Sequence, residues 1–225
     1  MELKAEIFQK GKFRNRRLAM FYDILDKKRQ NLLPCLEFFK ERFYLASGTG
    51  LALQIGHRDS KDFDFFSPED FQTQRFFEEI KENIKGFSIT KIQEERNTLS
   101  VLADDIKLSF FAYKYPLLEP LIEEKYLRIA SVADIGCMKL SAIISRATNK
   151  DYIDLYFILQ RIKLEDLLKK AEKKFPDIDT ALILKSLVYF EDIENEEIVF
   201  KKERVDFENV KKFLIAEVKQ LRFTT

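Results

Sequence analysis

The chain has 225 residues, of which 46% are hydrophobic, 34% charged and 13% aromatic, with 39 Lys and Arg set against 38 Asp and Glu. This is the composition of a folded, water-soluble protein, and a chain of this size buries roughly three-quarters of the surface its unfolded form exposes. Only 6 Gly and 5 Pro exclude collagen-like repeats and long flexible linkers, and a formal charge of +1 gives no global attraction for nucleic acid, so such a partner needs a local basic patch.

Leu18, Phe21, Tyr22, Ile24 and Leu25, then Leu36, Phe38 and Phe39, lie at helical spacing within residues 14–45 and predict two helices, with Pro34 starting the second. Phe43 to Ala46 reads as a short strand that enters the small-residue turn Ser47-Gly48-Thr49-Gly50, after which Leu51, Ala52, Leu53 and Ile55 predict a short helix. Gly56 to Ser60 breaks the chain. Lys61 to Phe66 then alternates polar and apolar residues as a strand does, until Ser67-Pro68 stops it. Phe76, Phe77, Ile80 and Ile84 fall on one face of a helix between Phe71 and Lys85. Residues 87–94, 98–103 and 106–112 are strand-like, and Asp104-Asp105 closes a hairpin over 98–112. Beyond Pro116 strand signals fade, and helices are predicted over 131–147, 150–161, 164–174, 177–190 and 206–222, with no internal repeat or long linker.

Charges such as Glu37, Lys40 and Asp134 interrupt the most apolar windows, so no stretch reaches the roughly 18 to 20 residues of a membrane-spanning helix. The N-terminus, MELKAEIFQKGKFRNRR, lacks the apolar segment of a secretory signal. A cytoplasmic protein without a membrane partner is the expectation. Cys35 and Cys137 show no CxxC spacing and His57 is the single histidine, which argues against a structural zinc site and for buried free thiols.

Asp62 and Asp64 stand two residues apart on a predicted strand, so their carboxylates share a face and can grip one hard cation such as Mg²⁺, which keeps coordination positions open for phosphates. A solvated strand edge can carry the same pair. The turn Ser47-Gly48-Thr49 leads from a strand into a helix, where free backbone N–H groups suit a triphosphate; an ordinary glycine turn has the same composition. Turn, short helix and DxD strand in succession describe a phosphate cradle beside a metal site, a combination more specific than either part.

The run ASGTGLALQIGHRDSKDFDFFS, residues 46–67, resembles the signature of the AbiEii/AbiGii-type nucleotidyltransferases, the toxin components of type IV toxin–antitoxin and abortive-infection systems. Ile106 to Pro116 resembles the family's central strand, and ASVADIGCMKLSAIISRATNKDYIDLYFIL, residues 130–159, its second signature; the likeness covers residues 40–165 in order. It implies an α+β fold: a polymerase β-like nucleotidyltransferase mixed sheet flanked by helices, with a helical C-terminal lobe. The implied division is N-terminal helices packing on the core over 1–42, the nucleotidyltransferase core over 43–116 and the lobe over 117–225. The implied reaction moves a nucleoside monophosphate from an NTP to an acceptor hydroxyl with Mg²⁺ or Mn²⁺. In members whose role is known, tRNA can be that acceptor, and a cognate antitoxin is an implied partner.

By position, Ser47, Gly48 and Thr49 match the phosphate turn, Ser47 standing where a second glycine is common, and Asp62 and Asp64 match the metal-binding pair. Lys139 matches the lysine of the downstream signature, as a phosphate or transition-state contact or as part of a solvated helix face. Lys150, Asp151 and Asp154 match its KDxxDL segment, and Lys150 and Asp154 are spaced for an i, i+4 ion pair. His57 and Arg58 are placed to orient phosphate or acceptor, or to serve the turn. Arg146, seven residues beyond Lys139, could extend a positive strip. One departure stands out. Polymerase β-like enzymes carry a third carboxylate on a neighbouring strand, and alternation along Ile106 to Phe111 assigns that position to Ser109. Asp151 or Asp154 is the candidate substitute. The alternative reading is a catalytically silent NTP-binding or protein-interaction module of the same fold; transfer to a small molecule or a protein hydroxyl differs only in the acceptor.

Overall fold

In the computed structural model, which describes residues 19–146 and 148–221, the Asp26 carboxylate accepts from the Arg29 N–H at 2.9 Å and caps helix α1, Lys27–Leu36. Pro34 lies inside α1 and does not start a second helix. Burial of Leu32, Leu33 and Leu36 outweighs the one hydrogen bond that a proline forfeits, and the chain tightens into a 3-10 turn at Glu37–Phe39. Before α1 the predicted helix shrinks to a 3-10 turn at Tyr22–Ile24, and Leu18 lies outside the described residues.

The next elements are β1 (Tyr44–Leu45), α2 (Ser47–Ile55), β2 (Phe63–Ser67), α3 (Thr73–Asn83), β3 (Ile89–Glu95), β4 (Thr98–Ala103) and β5 (Ile106–Ala112). Two strands of two residues follow, β6 (Ile122–Glu123) and β7 (Arg128–Ile129), in a stretch where the sequence predicts no element; two residues are too few to show alternation. Then come α4 (Val132–Ser145), α5 (Asn149–Leu159), α6 (Leu164–Lys174), α7 (Thr180–Ser186) and α8 (Phe207–Leu221). The described strands form one mixed seven-stranded sheet in the order β3-β4-β5-β2-β1-β7-β6, with β2 parallel to β5 and β1 parallel to β7. This is the expected α+β architecture.

Period-two alternation gives the two faces of the sheet different work. Phe63, Phe65, Leu108 and Phe110 are buried with Leu32, Leu36, Phe39, Phe76 and Ile80 in one core, where Phe110 meets Phe65, Phe39 and Phe76 at ring-centroid distances of 5.1, 5.4 and 4.8 Å. Each such ring contributes about 1.5–3 kcal/mol by leaving water. The opposite face, carrying Asp64 and Phe66, turns towards a second core built from α2, α4, α5, α6 and α8. Lys174 and Asp134, both fully buried, join α6 to α4 at 2.8 Å, and Lys174 also donates to the Pro116 carbonyl at 2.6 Å, which fastens the helices to the chain leaving β5. No helix among the described residues is long and apolar enough to cross a membrane. Cys35 and Cys137 are free thiols; Cys137 is buried, whereas Cys35 is only half-buried.

Candidate active site

The phosphate turn is shaped by three contacts. The Ala46 N–H donates to the Asp64 carbonyl at 3.1 Å, so the start of α2 is stitched to β2. Ser47 has φ +59°, a left-handed conformation that glycine adopts more readily than serine. The serine hydroxyl in return acts to lower the pKa of the Asp64 carboxylate. At Gly48 a Cβ would lie 2.7 Å from Arg58 Nη2, and the guanidinium cannot retreat because Asp154 pins it from behind. Thr49 is buried and spends its hydroxyl on Ser60 Oγ at 2.6 Å and on the Asp62 carbonyl, so what residues 47–49 offer an anion is backbone N–H groups at a helix end without a side-chain cap.

Asp62 is exposed and stands just before β2, which begins at Phe63 and not at Lys61. Asp64 is half-buried within β2 and pairs in register with Ser109 of β5, so the alternation argument located the neighbour of Asp64 correctly. Burial raises the Asp64 pKa; the Ser47 hydroxyl opposes that rise, the Asp62 charge adds to it, and Lys139 and Lys107 lower it. Asp64, in a partly dry place with the charge of Asp62 nearby, is short of positive charge. No group of three or more His, Cys, Asp or Glu among the described residues is arranged to hold a metal. The donor set still suits Mg²⁺, which is commonly bound by one or two carboxylates and completed by water and substrate phosphate. Ser109 is buried and receives a hydrogen bond from Ser100 Oγ at 3.2 Å; it supplies no charge.

Behind the turn lies a buried ion network. Asp154 Oδ1 accepts from His57 Nε2 at 2.7 Å and Arg58 Nε at 2.8 Å, and Oδ2 accepts from Arg58 Nη2 at 2.8 Å and Lys139 Nζ at 2.7 Å. Lys139 also donates to Asp151 Oδ1 at 2.7 Å, and Thr148 Oγ1 donates to Asp151 Oδ2 at 3.0 Å. Burial alone would raise the Asp154 pKa, but Arg58 and Lys139 hold it well below the usual carboxylate range. With its lone pairs so engaged, Asp154 is the counter-ion of Arg58 and Lys139 and does not stand in for a third carboxylate; Asp151 is likewise committed to Lys139 and Thr148. The Lys150–Asp154 ion pair does not form, because Asp154 turns inward to these cations while Lys150 turns outward to Glu196. Lys139 is buried, not on a solvated face, and its two aspartates neutralise it; Arg146 is exposed where the chain leaves α4, so the two make no positive strip.

The sequence profile of the family described as nucleotidyl transferase AbiEii toxin, type IV TA system, matches residues 32–222. The chain belongs to this family. Uncharacterized protein aq_aa25 of Aquifex aeolicus (strain VF5) is 40% identical over 183 residues, covering 79% of this chain and 87% of that protein. The nucleotidyltransferase toxin MenT4 of Mycobacterium tuberculosis H37Rv superposes with a TM-score of 0.58 at 20% identity, over 97% of this chain and 89% of that one. JHP933 of Helicobacter pylori does so with a TM-score of 0.54 at 17% identity, over 89% and 94% of the two chains. At such identities the two structures establish the shared fold.

Around the candidate residues of this AbiEii-family chain, sequence reasoning missed Lys107, a half-buried residue of β5 whose charge reaches Asp64, and Ser60, which holds Thr49. The alternation that singled out Ser109 also puts Lys107 on its face, and that signal was available. His57 is neither cap nor turn residue: it is buried against the Phe157 ring at 5.0 Å, and its Nδ1 has no hydrogen-bond partner among the described residues. Burial lowers its pKa, and the neighbouring Arg58 and Lys139 act in the same direction against the Asp154 carboxylate. A depressed folded-state pKa contributes stability that is complete above the unfolded value, about 6.5, and is lost as pH falls through the folded one. Thermal melting should therefore show stability declining once the pH drops below about 6.5, and His57→Gln should flatten that first decline while leaving the later carboxylate-linked one.

Proposed function

We propose that this protein transfers a nucleoside monophosphate from an NTP to a hydroxyl of an RNA acceptor, with tRNA as the class of RNA and a cognate antitoxin as its regulator. The observation that carries the reading is the half-buried Asp64 of β2, whose carbonyl accepts from the Ala46 N–H at 3.1 Å and so ties it to the uncapped start of α2, with Asp62 two residues before it. The backbone N–H groups of residues 47–49 hold the triphosphate at the helix end. Asp62 and Asp64 would hold a divalent ion, Mg²⁺ or Mn²⁺, which would supply charge neutralisation for the phosphates and Lewis acidity for the acceptor hydroxyl. Arg58, clamped by Asp154 and packed on Gly48, keeps the turn in shape, and Lys139 sets the potential around Asp64 from behind. Lys150, paired with Glu196 at the surface, is left for the outer edge of the nucleotide or acceptor. Displacement at the α-phosphorus forms the new bond to the acceptor oxygen and breaks the bond to the β-phosphate bridge, releasing pyrophosphate.

The test is incubation of the protein with labelled NTPs, divalent ion and total RNA, beside Asp62→Ala. Wild-type protein should label RNA and Asp62→Ala should label it at least tenfold less; equal labelling by the two sinks the proposal. The absence of charge at Ser109 favours the second reading, a nucleotide-binding module without turnover. That reading prevails where NTP binds in calorimetry, no acceptor is labelled and expression does not slow growth.

A further inference from the structure

The face of the sheet that bears Asp64 continues into aromatic residues that neither core requires in full. Register sets Asp64 beside Ser109 and Ser100 in one row across β2, β5 and β4, and Phe66 beside Phe111 and Thr98 in the next. Phe66 and Phe111 are stacked with ring centroids 5.4 Å apart and planes 30° from parallel, and Tyr113 meets Phe66 edge-on at 5.2 Å. All three are half-buried, and Tyr115, in contact with Tyr113 at 5.0 Å, is 46% exposed. Phe66 and Tyr113 lean on the core of the helical half. Phe111 takes Phe66 as its ring neighbour at the edge of the cluster. One row back from Asp64, Lys107 of β5 faces the same site with a positive charge.

We infer that Phe111, with Phe66 and Tyr113 behind it, is a stacking platform for a nucleobase whose phosphate lies at Asp64. The inference rests on the nucleotidyltransferase reading and deepens it. Asp64 and Phe66 are one two-residue repeat apart, about 7 Å, a separation that a ribose bridges between phosphate and base. Flat, partly wet rings beside a charged phosphate site suit a ligand that is anionic at one end and aromatic at the other, and stacking accepts any base because every base has a π-face. The base belongs either to the NTP or to the terminal nucleotide of the acceptor.

The experiment is calorimetry on the full chain with Mg²⁺, using the four NTPs, ribose 5′-triphosphate and inorganic tripolyphosphate, together with the KM for the RNA acceptor, for wild type, Phe111→Leu and Phe111→Tyr. If the base is that of the NTP, wild type binds an NTP about tenfold more tightly than ribose 5′-triphosphate; Phe111→Leu loses the difference and Phe111→Tyr keeps it. If the base is that of the acceptor, the triphosphates bind alike, and Phe111→Leu raises the acceptor KM about tenfold at unchanged kcat while Phe111→Tyr does not. Equal wild-type affinity for NTP and ribose 5′-triphosphate, with no change of acceptor KM in Phe111→Leu, overturns the platform alone. The wild-type comparison needs no variant to fold. Failure of wild type to bind any triphosphate overturns the platform and the nucleotidyltransferase reading together.

Discussion

Asp64→Asn is expected to lower nucleotidyl transfer about a thousandfold and to leave the fold as stable as before, or more so. Asparagine keeps the shape of the side chain but removes the charge that a divalent ion needs. In the folded protein, burial and the nearby Asp62 raise the Asp64 pKa, so the folded state resists the charged form. A carboxylate with a raised folded pKa favours folding below its unfolded value and opposes it once the pH rises through the folded one. At neutral pH the carboxylate is thus a cost to stability that the site carries for function. Labelled transfer and thermal melting on the same preparation check both halves. A loss of transfer accompanied by a lower melting temperature would mark Asp64 as a structural residue and remove it from the chemistry.

Asp154→Ala is expected to cost about 3–5 kcal/mol of folding free energy, a large share of the 5–15 kcal/mol that holds a typical domain together. The substitution leaves Arg58 with its guanidinium buried and unpaired, and leaves Lys139 with Asp151 alone. Breaking a buried pair from one side is costly because the other charge stays out of water. Asp151→Ala should cost less, since Lys139 keeps Asp154 and Arg58 is untouched. Urea denaturation of the two variants gives the comparison, and equal small losses would show that the network is solvated. The double variant Arg58→Ala, Asp154→Ala should recover part of the loss, as a coupled pair must. Because Arg58 lies directly against Gly48, a milder substitution that preserves the fold, such as Asp154→Asn, would loosen the phosphate turn and weaken NTP binding.

The order of the site along the chain was legible because it is local. A small-residue turn, a short helix and alternating Asp and Phe are written within residues 46–67, and α6 appears over the predicted interval 164–174. Ser109 was located from the two-residue period of a single strand. Pro34 misled, since the rule that proline begins helices takes no account of the leucines buried around it. β6 and β7 escaped notice because the pairing of β7 with β1 and of β6 with β7, and no pattern of their own, makes them strands.

The sequence by itself carried the resemblance that gave the family and its α+β class, and its local pattern gave the succession of small-residue turn, short helix and strand over residues 46–67, because that succession depends on residues close in the chain and on the fixed periods of strand and helix. Only the tertiary structure decided that Asp154 serves Arg58, His57 and Lys139, partners that lie 96, 97 and 15 positions away or on another helix, and that Lys150 turns from it. The physical reason is burial. A charge that leaves water takes whichever opposite charges the packed helices bring within reach, and spacing along one helix does not reveal which those are.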